Sequence, residues 1–266
     1  MKIHALVIST ILTAITLTAS DPEVHVYKKV DDRELAVHIF RPKKQAAPSP
    51  AVVWYHGGGW REGKAGQFFE HGKILANLGV VSISVDYRGF EGTPEKRDIS
   101  RCIADAKSAF RWVKTHAKEF NIDTGRIAVG GGSAGGHLAA AMATLPGFDE
   151  ATDDLSIPVN PNLQLLFNPA VDPSKVTTRD FSPLRTVKKN IAPAIIFHGE
   201  ADTTVSITQA YDYKRAMDRV GAECALMAYK DQPHGFFNYR SGKNPYYYKT
   251  VGDMLVFLDD HGWLTR

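Results

Sequence analysis

Five glycines surround a single serine in the stretch A-V-G-G-G-S-A-G-G-H-L-A-A, residues 128–140. A short apolar run precedes these glycines and a helical pattern follows them, so Ser133 is predicted to lie on a turn between a strand and a helix. The pattern Gly131-x-Ser133-x-Gly135 is typical of a nucleophile elbow, a sharp turn that lifts a hydroxyl above a sheet. A glycine-rich phosphate-binding turn is the alternative, but no G-K-[ST] sequence follows the glycines.

A second glycine cluster, His56-Gly57-Gly58-Gly59-Trp60, follows the apolar run 51–55 directly. Consecutive glycines let several backbone N–H groups converge on one oxygen, which is what stabilisation of an oxyanion requires. Either cluster alone is a weak signal. The combination of an HGGG-type loop with a G-x-S-x-G elbow further along the chain predicts acyl-transfer chemistry at a serine.

A serine hydroxyl needs a base to take its proton, and the base needs a carboxylate to orient it. Asp202 follows the apolar run 194–197, and His234 follows the apolar run 225–229. Both residues are therefore expected at the carboxyl ends of strands, in the chain order serine, acid, histidine. Glu200 is the alternative acid.

Three further histidines stand near these motifs, and none is predicted to be the base. His137 lies on the helix that follows Ser133 and should point away from the hydroxyl. His56 is expected to hold its own loop by hydrogen bonds, and His198 is expected at the end of a strand.

The elements that must position these residues alternate along the chain. Eight apolar runs are predicted as strands, of which the first two form an antiparallel hairpin and the others, being unbroken, suit a parallel sheet covered on both faces. Apolar residues at helical spacing predict helices near 99–117, 207–220 and 251–258. The expected fold class is α/β, with a mostly parallel eight-stranded sheet, helices on both faces and ligands at the carboxyl ends of the strands.

Composition narrows the classes of protein. The chain has 266 residues, of which 44% are apolar and 23% charged, with a net charge of +3. These values are average for a globular domain, and the absence of a Lys/Arg block gives no support to nucleic-acid binding. Residues 1–20 have one early lysine, an apolar run and small residues at the end, which predicts a signal peptide ahead of one α/β domain over 21–266. An uncleaved membrane anchor is the alternative.

Cysteine and metal-ligand spacing predict neither a disulfide framework nor a metal site. Cys102 and Cys224 are the two cysteines, and we expect two buried free thiols. No close cluster of His, Cys, Asp and Glu has the spacing of a metal site, and no cofactor is expected.

The motifs together resemble the esterases of the α/β-hydrolase fold, in the hormone-sensitive-lipase-like branch with an HGGG loop. Within that branch the chain is similar to bacterial acetyl esterases and to bifunctional feruloyl and acetyl xylan esterases. The resemblance runs from about residue 51 to the C-terminus, through the stretches HGGGW, VDYRG, GGGSAGGHLAA, HGEADTTV and QPHGFF. It implies Ser133 as nucleophile, Asp202 as acid and His234 as base.

The resemblance also implies that the amides of Gly58, Gly59 and Ala134 form the oxyanion hole. The chain departs from many branch members at Gly132, where they have an acidic residue, and in having only a short segment before the third strand. Any cap must come from residues 146–162 or 172–191. These departures favour an open site with little or no cap.

The expected function is a secreted or periplasmic serine esterase that acts through an acyl-enzyme on short-chain acyl or feruloyl esters of polysaccharides. Trp60 and Phe236 are expected to contact the substrate. An amidase or formamidase with the same triad is the enzymatic alternative, and a binding module that has lost its chemistry is the non-enzymatic one. No nucleic-acid partner and no membrane insertion after signal removal are expected, and the oligomeric state is open.

Overall fold

The computed structural model describes residues 21–30 and 32–264, and an eight-stranded sheet runs through them. The expected signal peptide, residues 1–20, lies outside the described residues. In chain order the strands are β1 (Glu23–Val30), β2 (Arg33–Phe40), β3 (Ser49–Tyr55), β4 (Val81–Val85), β5 (Glu91–Thr93), β6 (Lys96–Asp98), β7 (Ile122–Gly132), β8 (Leu163–Phe167), β9 (Ala194–Gly199) and β10 (Cys224–Tyr229). Strands β5 and β6 pair as a separate antiparallel hairpin that the sequence did not predict.

The main sheet has the strand order β1-β2-β4-β3-β7-β8-β9-β10. Strand β2 is antiparallel to both of its neighbours, and every other neighbouring pair is parallel. The predicted mostly parallel, eight-stranded sheet is therefore confirmed. Because the parallel strands end at one edge, the loops that follow β3, β7, β9 and β10 all emerge there, and these loops carry the four sequence motifs.

Helices cover both faces of the sheet, as predicted. They are α1 (Phe69–Asn77), α2 (Ser100–Thr115), α3 (Ala134–Thr144), α4 (Thr208–Arg219) and α5 (Pro245–Asp260). Strand β3 is buried along its whole length, and its alternate residues serve the two faces. Val53 and Tyr55 join the apolar cluster of α2, α3 and α4, whereas Val52 and Trp54 join that of α1 and α5.

The two segments that were candidates for a cap contain no α-helix. Residues 146–162 form turns and irregular chain, and residues 172–191 contain two short 3-10 turns, Arg179–Phe181 and Pro183–Thr186. The edge of the sheet that carries the motifs therefore lacks a helical cap over these two segments.

The cysteines agree with a further expectation. Cys102 and Cys224 are free and buried, as predicted, and burial raises the pKa of each thiol to about 12. Among the described residues, no helix combines the length and apolar character needed to cross a bilayer.

Burial strongly lowers the pKa of two of the completely buried histidines, His71 and His137. His71 lies among aromatic rings, and neither of its ring nitrogens has a hydrogen-bond partner among the described residues. His137 accepts from Trp60 Nε1 at 3.2 Å and its Nε2 lies 2.7 Å from the carbonyl of Phe181. Burial lowers the pKa of His71 to about 3 and that of His137 to about 4.

We expect these histidines to make the protein sensitive to mild acid. Between pH 6.5 and these lowered pKa values the unfolded chain binds more protons than the folded one, so the free energy of unfolding falls as the pH falls. Each histidine should remove about 2 kcal/mol between neutral pH and pH 5. Urea unfolding at several pH values measures the loss, and His71→Leu should remove about half of it. An unchanged pH dependence in His71→Leu would contradict this account.

Candidate active site

Ser133 lies on a tight turn between β7, which ends at Gly132, and α3, which begins at Ala134. Its backbone has φ 55° and ψ −116°, a conformation that costs a non-glycine residue roughly 1–3 kcal/mol. Its N–H donates to the carbonyl of Phe167 at 2.9 Å, and its carbonyl accepts from the amide of His137 at 2.9 Å. Strand β8 and helix α3 therefore hold the strained turn that the sequence predicts.

The glycines around Ser133 allow backbones to touch. A Cβ on Gly135 would lie 1.9 Å from the carbonyl oxygen of Tyr55 in β3, and a Cβ on Gly131 would lie 2.4 Å from the carbonyl oxygen of Gly135. Gly132 faces the ring of Phe237, whose Cζ would lie 2.6 Å from an added Cβ. The crowding of glycines in the sequence thus reflects close approach of strand, helix and cavity wall.

Asp202 and His234 meet at the same edge of the sheet. Asp202 follows β9, His234 follows β10, and Oδ2 of the carboxylate lies 2.6 Å from Nδ1 of the imidazole. Asp202 is buried, whereas Glu200 points into solvent. The structure therefore pairs the histidine with Asp202 and sets aside the alternative acid.

Hydrogen bonds keep the carboxyl of Asp202 ionised. Burial opposes its ionisation, but hydrogen bonds from His198, His234 and the amide of Val205 outweigh burial and hold its pKa well below the usual range. Oδ1 accepts from the amides of Thr204 and Val205 at 2.8 and 2.9 Å. Nε2 of His198 lies 3.3 Å from Oδ2 of Asp202. The sequence did not predict this contact, because His198 was expected only at the end of a strand.

Asn168 indicates which nitrogen of His234 carries the proton. The N–H of Gly235 can only donate, and it faces Oδ1 of Asn168 at 3.4 Å. The amide nitrogen of Asn168 is thereby turned toward Nε2 of His234, also at 3.4 Å. A donor facing Nε2 makes Nε2 the acceptor, so the proton is assigned to Nδ1, opposite Asp202.

Ser133 and His234 line one cavity of about 460 Å³. The part of the chain that the structure describes has no hydrogen bond between these two side chains. Such bonds often shorten only when a substrate is in place. The lone pair on Nε2 is on the imidazole nitrogen that a serine proton must reach.

The glycine loop after β3 leaves two of its amides unpaired. The N–H of Gly57 donates to Oε1 of Gln67 at 2.7 Å. Among the described residues, no acceptor faces the amides of Gly58 and Gly59, which have φ values of 117° and 62°. Both glycines line the cavity with Ser133. This arrangement fits the predicted oxyanion donors.

Side chains from other loops hold the glycine loop in shape. His56 stacks on Tyr87 with ring centroids 4.2 Å apart, and its Nδ1 lies 2.8 Å from the carbonyl of Gly57, as expected for a residue that holds its own loop. The hydroxyl of Tyr87 donates to the carbonyl of His56 at 2.7 Å. Arg97 of the β5–β6 hairpin donates to the carbonyl of Gly59 at 3.0 Å.

The two predicted substrate contacts do not line the cavity, and this expectation is corrected. Trp60 has φ 59°, so the chain turns its indole inward onto His137, and the residue is 4% exposed. Phe236 packs in the core against Tyr229 and Tyr246.

Side chains that were not predicted as substrate contacts line the cavity in their place. Phe237 takes the place expected of Phe236, and Gln67, Asn168, Thr204 and Asn238 supply polar groups. The motif QPHGFF contained a signal for Phe237, since neighbouring side chains often face opposite ways. Nothing in the sequence pattern pointed to Gln67.

Within residues 21–30 and 32–264, no group of three or more His, Cys, Asp or Glu side chains is placed to hold an ion.

The chain is similar in sequence to known esterases. A family model described as BD-FAE matches residues 37–159, which include the glycine loop and the Ser133 turn. Esterase LipC of Mycobacterium tuberculosis is 29% identical over 239 residues, which are 77% of this chain and 58% of LipC. An acetylxylan esterase of Xylanibacter ruminicola is 24% identical over 249 residues, 85% of this chain and 48% of that protein. The chain spans about half the length of the curated relatives it matches.

The similarity to one solved structure extends over nearly all of both chains. The thermophilic esterase Est2 from the planctomycete Thermogutta terrifontis is 36% identical, and the match covers 92% of this chain and 94% of Est2 with a TM-score of 0.85. This identity over almost the full length of Est2, on the sheet and helices described above, means that the chain belongs to the esterases of the α/β-hydrolase fold.

Proposed function

We propose that the protein is a serine esterase that hydrolyses short-chain carboxylic esters through an acyl-enzyme. The observation that carries this proposal is that Ser133, His234, Gly58 and Gly59 line one cavity, with His234 hydrogen-bonded from behind to Asp202. A nucleophile, an oriented base and anion donors are the three parts that acyl transfer requires.

The proposed reaction has two halves. Nε2 of His234 takes the proton as Ser133 Oγ attacks the ester carbonyl, and Asp202 stabilises the imidazolium through Nδ1. The amides of Gly58, Gly59 and Ala134 donate hydrogen bonds to the negatively charged carbonyl oxygen, and each such donor is typically worth about 10²–10³ in rate. His234 then protonates the leaving alcohol, and a water molecule activated by His234 releases the acid from Ser133.

Short acyl chains suit the walls of the cavity. The cavity has a volume of about 460 Å³ and must hold both the acyl part and the alcohol part of the ester. Phe237, Gln67 and Asn238 form part of its wall. Structures of Est2 contain propionate and butyrate, which are short carboxylates. We propose the same size class for the acyl group here.

We further propose that the alcohol is a carbohydrate, acylated with acetyl or feruloyl groups. The name of the acetylxylan esterase relative and the lack of a helical cap over 146–162 and 172–191 support this proposal. A second cavity of about 170 Å³ also has Gly58 and Gly59 in its lining, together with Arg61, Arg97 and Phe90. Guanidinium donors suit sugar hydroxyls and carboxylates.

The composition of residues 1–20 supports a proposal of export to the periplasm or the medium. Acylated polysaccharides occur outside the cytoplasm, so an exported enzyme could reach them.

A substrate panel tests this function. The kcat/KM for 4-nitrophenyl acetate and butyrate should exceed that for the octanoate by about tenfold or more. Acetate release from acetylated xylan and ferulate release from feruloylated xylan test the carbohydrate proposal, with methyl ferulate as the control that lacks the sugar. Preference for the octanoate would contradict a short acyl group, and faster hydrolysis of aryl amides than of matched esters would favour the amidase alternative.

The role of Asp202 predicts a large loss in Asp202→Asn. An amide in this place can donate to Nδ1, which moves the imidazole proton to Nε2 and removes the lone pair that Ser133 needs. We expect kcat for 4-nitrophenyl acetate to fall about 10⁴-fold.

Glu200→Gln is the matched control for Asp202→Asn, because Glu200 is two residues away and exposed. Its kcat should stay within about twofold of wild type. A large loss in Glu200→Gln together with an active Asp202→Asn would reverse the assignment of the acid.

A further inference from the structure

Two side-chain amides, those of Gln67 and Asn238, connect the two loops on which the proposed reaction depends. Gly57 N–H donates to Oε1 of Gln67 at 2.7 Å, Nε2 of Gln67 donates to Oδ1 of Asn238 at 3.0 Å, and Nδ2 of Asn238 donates to the carbonyl of Gly235 at 2.8 Å. Gly57 adjoins the oxyanion donors, and Gly235 adjoins His234. A continuous hydrogen-bonded chain therefore runs from the glycine loop to the histidine loop.

The backbone groups at the two ends determine the direction of this chain. An N–H group can only donate, so the amide of Gly57 places Oε1 of Gln67 toward itself. A carbonyl can only accept, so Gly235 draws Nδ2 of Asn238 toward itself. The remaining nitrogen of Gln67 and the remaining oxygen of Asn238 then face each other as donor and acceptor. Each amide orientation is consistent with the other. A carboxylate in place of either amide would set two acceptors opposite each other.

The bridge is separate from the contacts that fold these loops. Gln67 and Asn238 are half-buried and line the cavity, so neither belongs to the apolar core. The histidine loop is held independently by Asn244, whose Nδ2 donates to the carbonyl of Asn238 at 2.8 Å and to that of Phe236. The glycine loop is held independently by the Tyr87 hydroxyl on His56 and by Arg97 on Gly59.

We propose that Gln67 and Asn238 are positioning residues that fix the separation between the oxyanion donors and His234. This inference rests on the proposed esterase function. An oxyanion donor acts over about 2.7–3.1 Å, and a displacement of about 1 Å can cost up to about 10²-fold in rate. The bridge would therefore affect the transition state more than the binding of the substrate.

The first test removes the bridge with a side chain of similar shape. Gln67→Met should lower kcat for 4-nitrophenyl acetate about 10- to 100-fold, with KM changed by less than about threefold. The melting temperature should stay within about 3 °C of wild type, because the residue is half-buried. Asn238→Leu should behave in the same way, and the double variant should lose little more than either single one, since the two residues act as a unit.

Gln45→Met is the matched control, because its amide bonds Ser49 and nearby carbonyls away from the cavity. Its kcat should equal that of wild type. A kcat within about twofold of wild type in both Gln67→Met and Asn238→Leu would overturn the proposal.

The second test uses protonation to restore the bridge. In Gln67→Glu a neutral carboxyl group can accept from Gly57 and donate its O–H to Asn238, whereas an ionised one presents an acceptor to the acceptor Oδ1. The ratio of kcat between Gln67→Glu and wild type should therefore rise as the pH is lowered from about 7 to about 5, toward the ordinary pKa of a glutamate, which is about 4.3. The other pH-dependent steps of the reaction are common to both enzymes and largely cancel in this ratio.

The outcomes of the two tests are distinct. A flat ratio for Gln67→Glu would overturn the proposal, as would a loss of kcat in Gln67→Met that merely follows a lowered melting temperature. Failure of the wild-type protein to hydrolyse any ester of the panel would overturn the proposed function, and the inference with it. An active wild type with indifferent bridge variants would overturn the inference alone.

Discussion

Ser133→Ala is expected to give a folded protein with no measurable ester hydrolysis. The hydroxyl is the group that forms the acyl-enzyme, and no neighbouring serine stands on the same strained turn. Loss of the nucleophile in a triad lowers kcat by more than about 10⁴-fold, because the base and the acid cannot act without it. The assay is release of 4-nitrophenolate from the acetate ester.

A covalent label sharpens this prediction. Est2 has been seen phosphorylated by paraoxon, and the proposed nucleophile predicts that this protein, too, is modified once, at Ser133. Mass spectrometry should find the adduct in wild type and in the exposed control Ser156→Ala, and should not find it in Ser133→Ala. Turnover above about 1% of wild type in Ser133→Ala, or a label on another residue, would show that the nucleophile is misassigned.

Gly135→Ala is expected to destabilise the protein severely, although it adds a single methyl group. The new Cβ would lie 1.9 Å from the carbonyl oxygen of Tyr55 and 2.5 Å from that of His56. Both obstacles are backbone atoms of the strand and loop in the middle of the sheet, so no side-chain rotation relieves the overlap. We expect the free energy of unfolding to fall by more than about 4 kcal/mol, or the protein to be insoluble.

Gly252→Ala provides the matched control, because Gly252 lies inside α5 and an added Cβ would meet nothing within 4 Å. This change should leave stability unaltered or raise it by about 0.5–1 kcal/mol, as expected for alanine in a helix. Equal urea midpoints for Gly135→Ala and wild type would contradict the close packing of the Ser133 turn against β3.

Gly135 and Gly252 differ in the space around them, which the sequence pattern does not show. The pattern around Ser133 indicated that glycine was needed there, but it did not distinguish a need for positive φ from a need for space. The structure shows that space is the reason. Gly131, Gly132 and Gly135 all lack positive φ values, and a Cβ at each would overlap a neighbouring atom. Gly58 and Gly59 combine positive φ with a place on the cavity wall.

The sequence by itself determined the eight-stranded sheet, the helices α2 to α5 and the placement of Ser133, Asp202 and His234 at one edge of that sheet. Strand and helix periodicities are local, and parallel strands deliver the loops that follow them to one edge whatever the loops contain. The resemblance named Asp202 ahead of Glu200, and the structure pairs Asp202 with His234 while Glu200 is exposed.

Only the tertiary structure decided which way the loop side chains point. Trp60 turns into the core because it and Gly59 have left-handed φ values, and Phe237 rather than Phe236 reaches the cavity after the left-handed Gly235. The partnership of Gln67 with Asn238 joins residues 171 positions apart. Loop directions are set by single backbone dihedrals and long-range contacts, which have no periodic trace in the sequence.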